Sequence, residues 1–262
     1  MGNEKTNREI KERVKGQFGK NAEKYVTSET HAKGDDLSLM IDWLKPDTNW
    51  WVLDVATGGG HVTKKLAPYV YHVCTTDLTT KMLAEARKNI SEKSVNVSYI
   101  EADAEKLPFL DETFDIVTCR IAAHHFPNPR MFLEESVRVL KKGGKLLLID
   151  NIVPKDEKLD HFINKLEKLR DDSHVRCYQI EEWEGWAEDA GLQIEKSRIK
   201  KKVFDFPVWV RRTTESEEQV QMVEKHILQG EKKMQDYCGV VAMDKDIKSI
   251  TIDEWMVLFK KE

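Results

Sequence analysis

Residues 51–60, Trp-Val-Leu-Asp-Val-Ala-Thr-Gly-Gly-Gly, decide how the rest of the chain is read. Trp51, Val52, Leu53 and Val55 surround one carboxylate, Asp54, and three consecutive glycines follow. A short apolar run that ends in glycines reads as a buried strand of a parallel sheet entering a tight turn. Val62 to Leu66 then carries the first turns of a helix. Strand, glycine turn and helix form the nucleotide-binding opening of an α/β sheet. There the missing Cβ atoms let the backbone approach a ligand at the carboxyl end of the strand.

Working downstream, Val70 to Thr76 is expected as a second strand, followed by Asp77-Leu78. A carboxylate about 20 residues past the glycines can accept both hydroxyl protons of a ribose. The alternative is a helix cap, because Thr79, Thr80 and the helical pattern Met82, Leu83, Ala86, Ile90 follow. Val95 to Ile100 reads as a third strand ending in Glu101-Ala102-Asp103-Ala104. A carboxylate there can accept the exocyclic amine of adenine, and the small Ala104 lets the ring lie close to the backbone; the alternative is a surface turn. Ile116 to Cys119 makes a fourth strand. The segment after it, Arg120-Ile121-Ala122-Ala123-His124-His125-Phe126, should face the ligand, since ligands lie outside the carboxyl ends of open sheets. Adjacent histidines rarely point the same way, so no metal pair is expected. Either His125 or His124 is a candidate general base, with Arg120 orienting an anionic group; the alternative is packing at the junction.

Upstream, residues 1–34 are polar, with Val14, Phe18, Ala22 and Tyr25 at helical spacing over Lys11 to Tyr25. This is either a loose arm or a lid whose Tyr25 or His31 touches the ligand. Asp35 or Asp36 is expected to cap a helix bearing Leu37, Met40, Ile41 and Leu44, which ends before Pro46.

Beyond Pro129, a helix is expected to close at Lys141-Lys142-Gly143-Gly144, followed by a fifth strand over Lys145 to Ile152. A helix over 157–171 leads into the polar stretch 170–176, which is either a substrate-facing insertion or a solvated loop. A helix over 180–190 precedes an edge strand over 193–206, whose Lys200-Lys201-Lys202 run reads as a solvated face. Residues 207–237 read as helical. The last strand, 247–260, is expected to insert antiparallel beside the fifth.

The 262 residues carry 34% charged side chains and a net charge of −4, a balance that argues against a nucleic-acid binder. No apolar run approaches the roughly 18 residues of a membrane span. Four cysteines without paired spacing fit a reduced, cytoplasmic protein lacking a zinc site. The expected fold is α/β: a Rossmann-like, doubly wound, seven-stranded sheet, mostly parallel with its last strand antiparallel, plus helical cap elements. One domain over 1–262 is expected to comprise a lid (1–34), a cofactor half (35–152) and a substrate half (153–262) with a cap at 207–237. The oligomeric state is left open.

Taken in order, Val52 to Gly60, Asp77-Leu78, Met82-Leu83, Asp103-Ala104, Leu107-Pro108-Phe109, Phe114 to Val117 and Arg138 to Gly144 resemble the class I S-adenosylmethionine-dependent methyltransferases. The nearer likeness is to the bacterial branch with quinone C-methyltransferases and related small-molecule enzymes. The resemblance implies that S-adenosyl-L-methionine is the cofactor and a small molecule the methyl acceptor. It implies that Ala56, Thr57, Gly58 and Gly60, beside Asp54, hold the methionine part; Ala56 stands where glycine is commoner. Asp77 would bind ribose, Leu78 would lie against adenine, and Asp103 with Ala104 would read the adenine edge. Cys119, Arg120 and Ile121 would flank the methionyl end, and the arm with Tyr25 would cover the cofactor. There is no Asn/Asp-Pro-Pro-Tyr box of amine methylation and no acidic metal triad of the catechol type.

Two rival readings remain. An NAD-dependent oxidoreductase shares the strand, glycines and Asp77, but needs a third glycine where Thr63 stands. The other is a cofactor-binding protein without catalysis.

Overall fold

The computed structural model describes residues 2–27, 34–90, 95–244 and 246–262, with side chains from Lys5 to Lys20 in the first stretch. The strands are β1 (Trp51–Val55), β2 (His72–Asp77), β3 (Val97–Glu101), β4 (Phe114–Arg120), β5 (Leu140–Asn151), β6 (Leu192–Asp205), β7 (Val241–Met243) and β8 (Asp246–Lys261). They form one sheet in the order β3-β2-β1-β4-β5-β8-β6, with the short β7 paired to β8. The first five run parallel, and β8 inserts antiparallel between β5 and β6. The last-strand expectation therefore holds, and the described residues form eight strands, not seven. The added strand is three residues hairpinned onto β8, too short for an alternating pattern to announce it.

The reason β1 lies at the centre is visible in its side chains. Leu53 and Val55 enter one core with Val117, Leu146 and Leu148, while Val52 enters another with Val73, Ile116 and Leu147. Alternate residues of a strand point to opposite faces, so a run apolar at nearly every position must be covered on both. The helices α5 (Pro129–Val139) and α7 (Ile180–Asp189) cover the first face through Phe132 and Trp183. The second is covered by α2 (Asp35–Leu44) and α3 (His61–Leu66) through Leu37, Met40 and Leu66. After β2, α4 (Thr80–Asn89) starts with Thr79 accepting from the Met82 amide.

The carboxyl end of the sheet is roofed by α1 (Gly2–Thr27) and by four cap helices. These are α6 (Glu157–Arg170), α8 (Phe206–Val210), α9 (Glu217–Leu228) and α10 (Lys232–Tyr237). Trp209, Val210, Val223 and Ile227 pack with Ile247 and Ile250 of β8 in a core of their own. Met222 of α9 is exposed.

Three local expectations give way to tertiary pairing. Gly34, not Asp35 or Asp36, sits at the N-cap of α2 and supplies no side-chain cap. Both carboxylates find cations instead: Asp36 pairs with Arg120, and Asp35 with Lys200 (2.6 Å) and Arg198 (2.9 Å). The helix α5 stops at Val139, and Lys141 to Gly144 belong to an irregular start of β5, where Gly143 takes φ 74°. The lysine run of β6 is not simply solvated, since Lys201 reaches Asp253 (2.7 Å) and Lys202 reaches the buried Glu254 (2.6 Å).

Candidate active site

The glycine turn is organised by Asp54, which is buried and accepts hydrogen bonds from the hydroxyls of Thr57 (2.6 Å), Thr63 (2.7 Å) and Thr118 (2.9 Å). Burial pushes its carboxyl pKa up, and the three hydroxyls oppose that shift by solvating the anion. Thr63, the residue standing in place of a third glycine, is thus a hub partner of Asp54. Beside it, Ala56 takes φ 52°, a left-handed conformation that costs a Cβ-bearing residue about 1 kcal/mol. Gly60 has φ 77°, and a Cβ there would stand 2.9 Å from Ile90 Cδ1. Its smallness serves the packing of α3 on α4, and the cavity wall is formed by Ala56, Thr57, Gly58 and Gly59.

This cavity, of about 100 Å³, runs across the carboxyl ends of β1 to β4. Asp77 closes β2 and lines the cavity, while the cap of the following helix is Thr79. The Asp77 Oδ1 accepts from the amide and hydroxyl of Thr79 (3.0 and 3.1 Å), while its Oδ2 accepts from the Gly58 amide (3.1 Å). Burial raises its pKa, opposed by the Thr79 and Gly58 amides. Leu78, Asp103 and Ala104 continue the wall. Asp103 accepts from the Glu105 amide (3.0 Å) and pairs with Lys11 of α1 (2.6 Å), which also grips Glu105 (2.6 Å).

Lys11, Val14 and Phe18 form the roof of the cavity. Lys11 escaped the sequence reading, although it shares the helical stripe of Val14 and Phe18 by spacings of three and four. The side chain of Tyr25 and all of His31 lie outside the described residues. At the end of β4, Cys119 is buried in the core and is not part of the wall. Arg120, Ile121 and Ala122 do line it. Arg120 is salt-bridged to Asp36, with both side chains buried, so its charge is matched by α2. Ile121 takes φ 53°, which is rare for a β-branched residue and is held by its amide bonding to the Ile149 carbonyl (2.7 Å).

A second, smaller chamber of about 50 Å³ adjoins the first and shares Phe18, Ile121 and His125 with it. Its remaining wall comes from His124, from Asn151 at the end of β5, from Arg170 and Asp171 at the end of α6, and from Lys202, Phe204, Trp209 and Arg212 of β6, α8 and the turn after it. The 170–176 stretch is thus an inward-facing insertion: Asp171, Ser173 and His174 are all buried. The helix α1 reaches this end too, through Gln17 donating to the Thr213 carbonyl (2.9 Å) and Lys20 pairing with Glu215 (3.1 Å).

Both adjacent histidines line this chamber, against the expectation that they diverge. Ala123–His125 is a 3-10 turn, in which neighbouring side chains are about 120° apart rather than opposed. Their rings lie 4.2 Å apart. They differ in charge. Burial pulls the His124 imidazole down, but the charge of Asp150 and its hydrogen bond to Nδ1 (2.5 Å), with Glu167 and Asp171 nearby, more than compensate, and the pKa ends raised. Burial, and then the proximity of His124, lower His125 to about 4. His125 Nδ1 donates to the Ser173 carbonyl (3.1 Å), so Nε2 carries its lone pair. Phe18 meets that ring edge-on at 4.9 Å. Among the described residues no His, Cys, Asp and Glu group has metal-holding geometry.

With this geometry in view, the likeness to known proteins is specific. The family model described as a methyltransferase domain matches residues 53–148. An uncharacterised methyltransferase of Bacillus subtilis, YcgJ, is 39% identical over 196 residues, 74% of this chain and 78% of that one. The crystal structure of a candidate methyltransferase from Bacillus halodurans superposes with a TM-score of 0.84 at 40% identity, covering 87% of this chain and 99% of that one. The ubiquinone/menaquinone biosynthesis C-methyltransferase UbiE of a Ruegeria species is 34% identical over 146 residues, 53% of this chain and 58% of that protein. The cavity over β1 to β4 presents carboxylates at the ends of β2 and β3 and a Cβ-poor turn after β1, which suits the ribose, adenine and methionyl parts of one elongated nucleoside. The chain belongs to the class I S-adenosylmethionine-dependent methyltransferases, with S-adenosylmethionine as its cofactor.

Proposed function

We propose that this methyltransferase acts on a small-molecule acceptor bound in the chamber beneath Phe18, with the His124–Asp150 pair taking the acceptor's proton. When bound, the cofactor supplies a methyl group activated by its sulfonium, and the reaction is an in-line displacement. The residues of the first cavity hold it: Ala56 to Gly59 beside the methionyl part, Asp77 on the ribose hydroxyls, Leu78 against adenine, Asp103 and Ala104 on the adenine edge. Arg120, fixed by Asp36, is a positioning residue at the methionyl end. Phe18 and Ile121, shared by the two cavities, align the acceptor and exclude water, the main requirements once the leaving group is reactive.

The observation that carries this reading is the junction of the two cavities at Ile121 and His125. His124 is the better base of the two, because Asp150 holds its Nδ1 proton and stabilises the imidazolium that forms. His125 stays neutral and packs the junction. UbiE-type relatives match only part of this chain, so their acceptor is not transferred to it.

The net charge of −4 speaks against a nucleic-acid acceptor, and the four free, buried cysteines suit the reducing cytoplasm. No described helix is long and apolar enough to cross a membrane. The continuous sheet supports one domain over 1–262, with α1 as its lid and residues 207–237 in the cap. Calorimetric titration tests the reading: S-adenosylhomocysteine should bind at micromolar concentration and NAD should not. Binding of the sulfur ligand that the variant Asp77→Ala leaves unchanged would remove Asp77 from the site.

A further inference from the structure

At the end where Asp103 stands, the cofactor cavity is bridged by a side chain of α1. Lys11 reaches across to Asp103 and Glu105, 2.6 Å from each. Outside it lies a wider groove of about 600 Å³, whose other walls include Asn7, Arg8 and Lys15 of the same helix. Cavity and groove have five residues in common: Lys11, Leu78, Ala102, Asp103 and Glu105. The Lys11 clasp therefore stands in the partition between a roofed cavity and a groove at the surface.

The partners of this clasp are not equally fixed. Glu105 is buried, and its Oε1 accepts from the Asn128 amide (2.6 Å), which ties it to the start of α5. The side chain of Asp103 is 32% exposed, with Oδ1 on the Glu105 amide (3.0 Å) and Oδ2 on Lys11. A lysine carries three donors on a flexible four-carbon stem. Its ammonium can thus release Asp103 and stay on Glu105 while the helix keeps its place. Lifting α1 as a whole is the costlier motion. It would also break the Gln17 bond to the Thr213 carbonyl and the Lys20–Glu215 pair, and would bring Val14 and Phe18 into water. At the methionyl end stands the buried Arg120–Asp36 pair, and parting a buried pair is strongly destabilising.

Resting on the reading of this cavity as the cofactor site, we propose that the groove outside Lys11 is the port for S-adenosylmethionine and S-adenosylhomocysteine, and that the Lys11–Asp103 contact is its gate. The methionyl end then enters first and leaves last. The spent nucleoside can be exchanged without opening the acceptor chamber, whose contacts with α1 lie on the far side of Phe18. Because the clasp is closed in the protein without ligand, it slows entry as well as release.

The test measures exchange of radiolabelled S-adenosylhomocysteine on the full chain, with release followed by a chase of excess unlabelled ligand and affinity by calorimetry. In Lys11→Met, release should quicken roughly tenfold, the scale of one charge-assisted hydrogen bond, and association should quicken with it. Affinity should therefore change much less than either rate. Lys20→Met removes the exposed contact of α1 with the cap and should leave release within about twofold of the parent. Unaltered exchange in Lys11→Met would overturn the gate. Faster release matched by an equal loss of affinity would also overturn it, making Lys11 a binding residue instead. Equal acceleration in Lys20→Met would show that α1 lifts as a whole, and the port at Lys11 would fall. If S-adenosylhomocysteine fails to bind the parent chain, the underlying methyl-transfer reading falls; if it binds and Lys11→Met exchanges it no faster, the gate alone falls.

Discussion

The cavity over β1 to β4 and the chamber beside it share three residues, yet they are assembled from different kinds of sequence. The first draws its floor from the consecutive loops at the ends of neighbouring parallel strands, where Asp54, Asp77 and Asp103 recur at regular intervals along the chain. The second gathers Phe18, His124, Asn151, Asp171, Lys202 and Arg212 from segments far apart in sequence. Local geometry builds the first: a strand end, a turn, a helix start. The second exists only once the cap has closed over β8 and α1 has crossed both. A common cofactor can be met by a repeated local solution. An individual acceptor is met by whatever the cap brings in.

The two regions should therefore separate cleanly under mutation. The largest effect is expected from His124→Ala, which should lower kcat by roughly 10²–10⁴-fold and leave S-adenosylhomocysteine affinity unchanged, while His125→Ala should cost far less. Equal losses in both variants would break the distinction drawn between the two histidines. Asp77→Ala should act on the other region. Removing the carboxylate proposed to accept from the ribose hydroxyls should weaken the cofactor by about 1.5–3 kcal/mol, read by calorimetry, without moving acceptor affinity.

A subtler separation is expected in the pH profile. A base must be deprotonated to accept a proton, and His124 has its pKa raised from the ordinary 6.5. The acid limb of kcat/KM should thus lie above 6.5. In Asp150→Asn only burial and the weaker neighbours act on the ring, so the limb should move to lower pH. The same sign governs stability: the charged pair strengthens the fold below pH 6.5 and loses that contribution as pH rises through the raised value. The smallest effect is expected from Ala56→Gly. Relief of the left-handed Cβ is offset by the flexibility gained in the unfolded chain, and the net shift should stay within about 1 kcal/mol by thermal or denaturant unfolding.

How far each region could be read in advance follows from the same contrast. Val52 to Gly60, Asp77 and Asp103 were legible because strand-end chemistry is written in adjacent residues. The resemblance placed Gly60 and Cys119 at the cofactor, yet neither lines the cavity. Gly60 faces Ile90 across the helix pair, and Cys119 is buried in the core. Lys11 was overlooked because a lysine on a polar helix carries no local mark of its partners, which lie 92 and 94 residues away. The carboxylates of Asp35 and Asp36 looked like caps for the same reason. Their cations come from β4 and β6.

What the sequence determined by itself was the parallel sheet, the cofactor turn and the antiparallel final strand. Each follows from apolar periodicity and from residues that act on their immediate neighbours. Only the tertiary structure decided that the two histidines shift their pKa values in opposite directions, and that the 170–176 stretch turns inward. It also decided that α1 spans both cavities. Those outcomes depend on burial and on charges brought together across long chain separations, and neither has a local signature. Asp150 raises the pKa of His124 through a 2.5 Å contact between residues 26 positions apart.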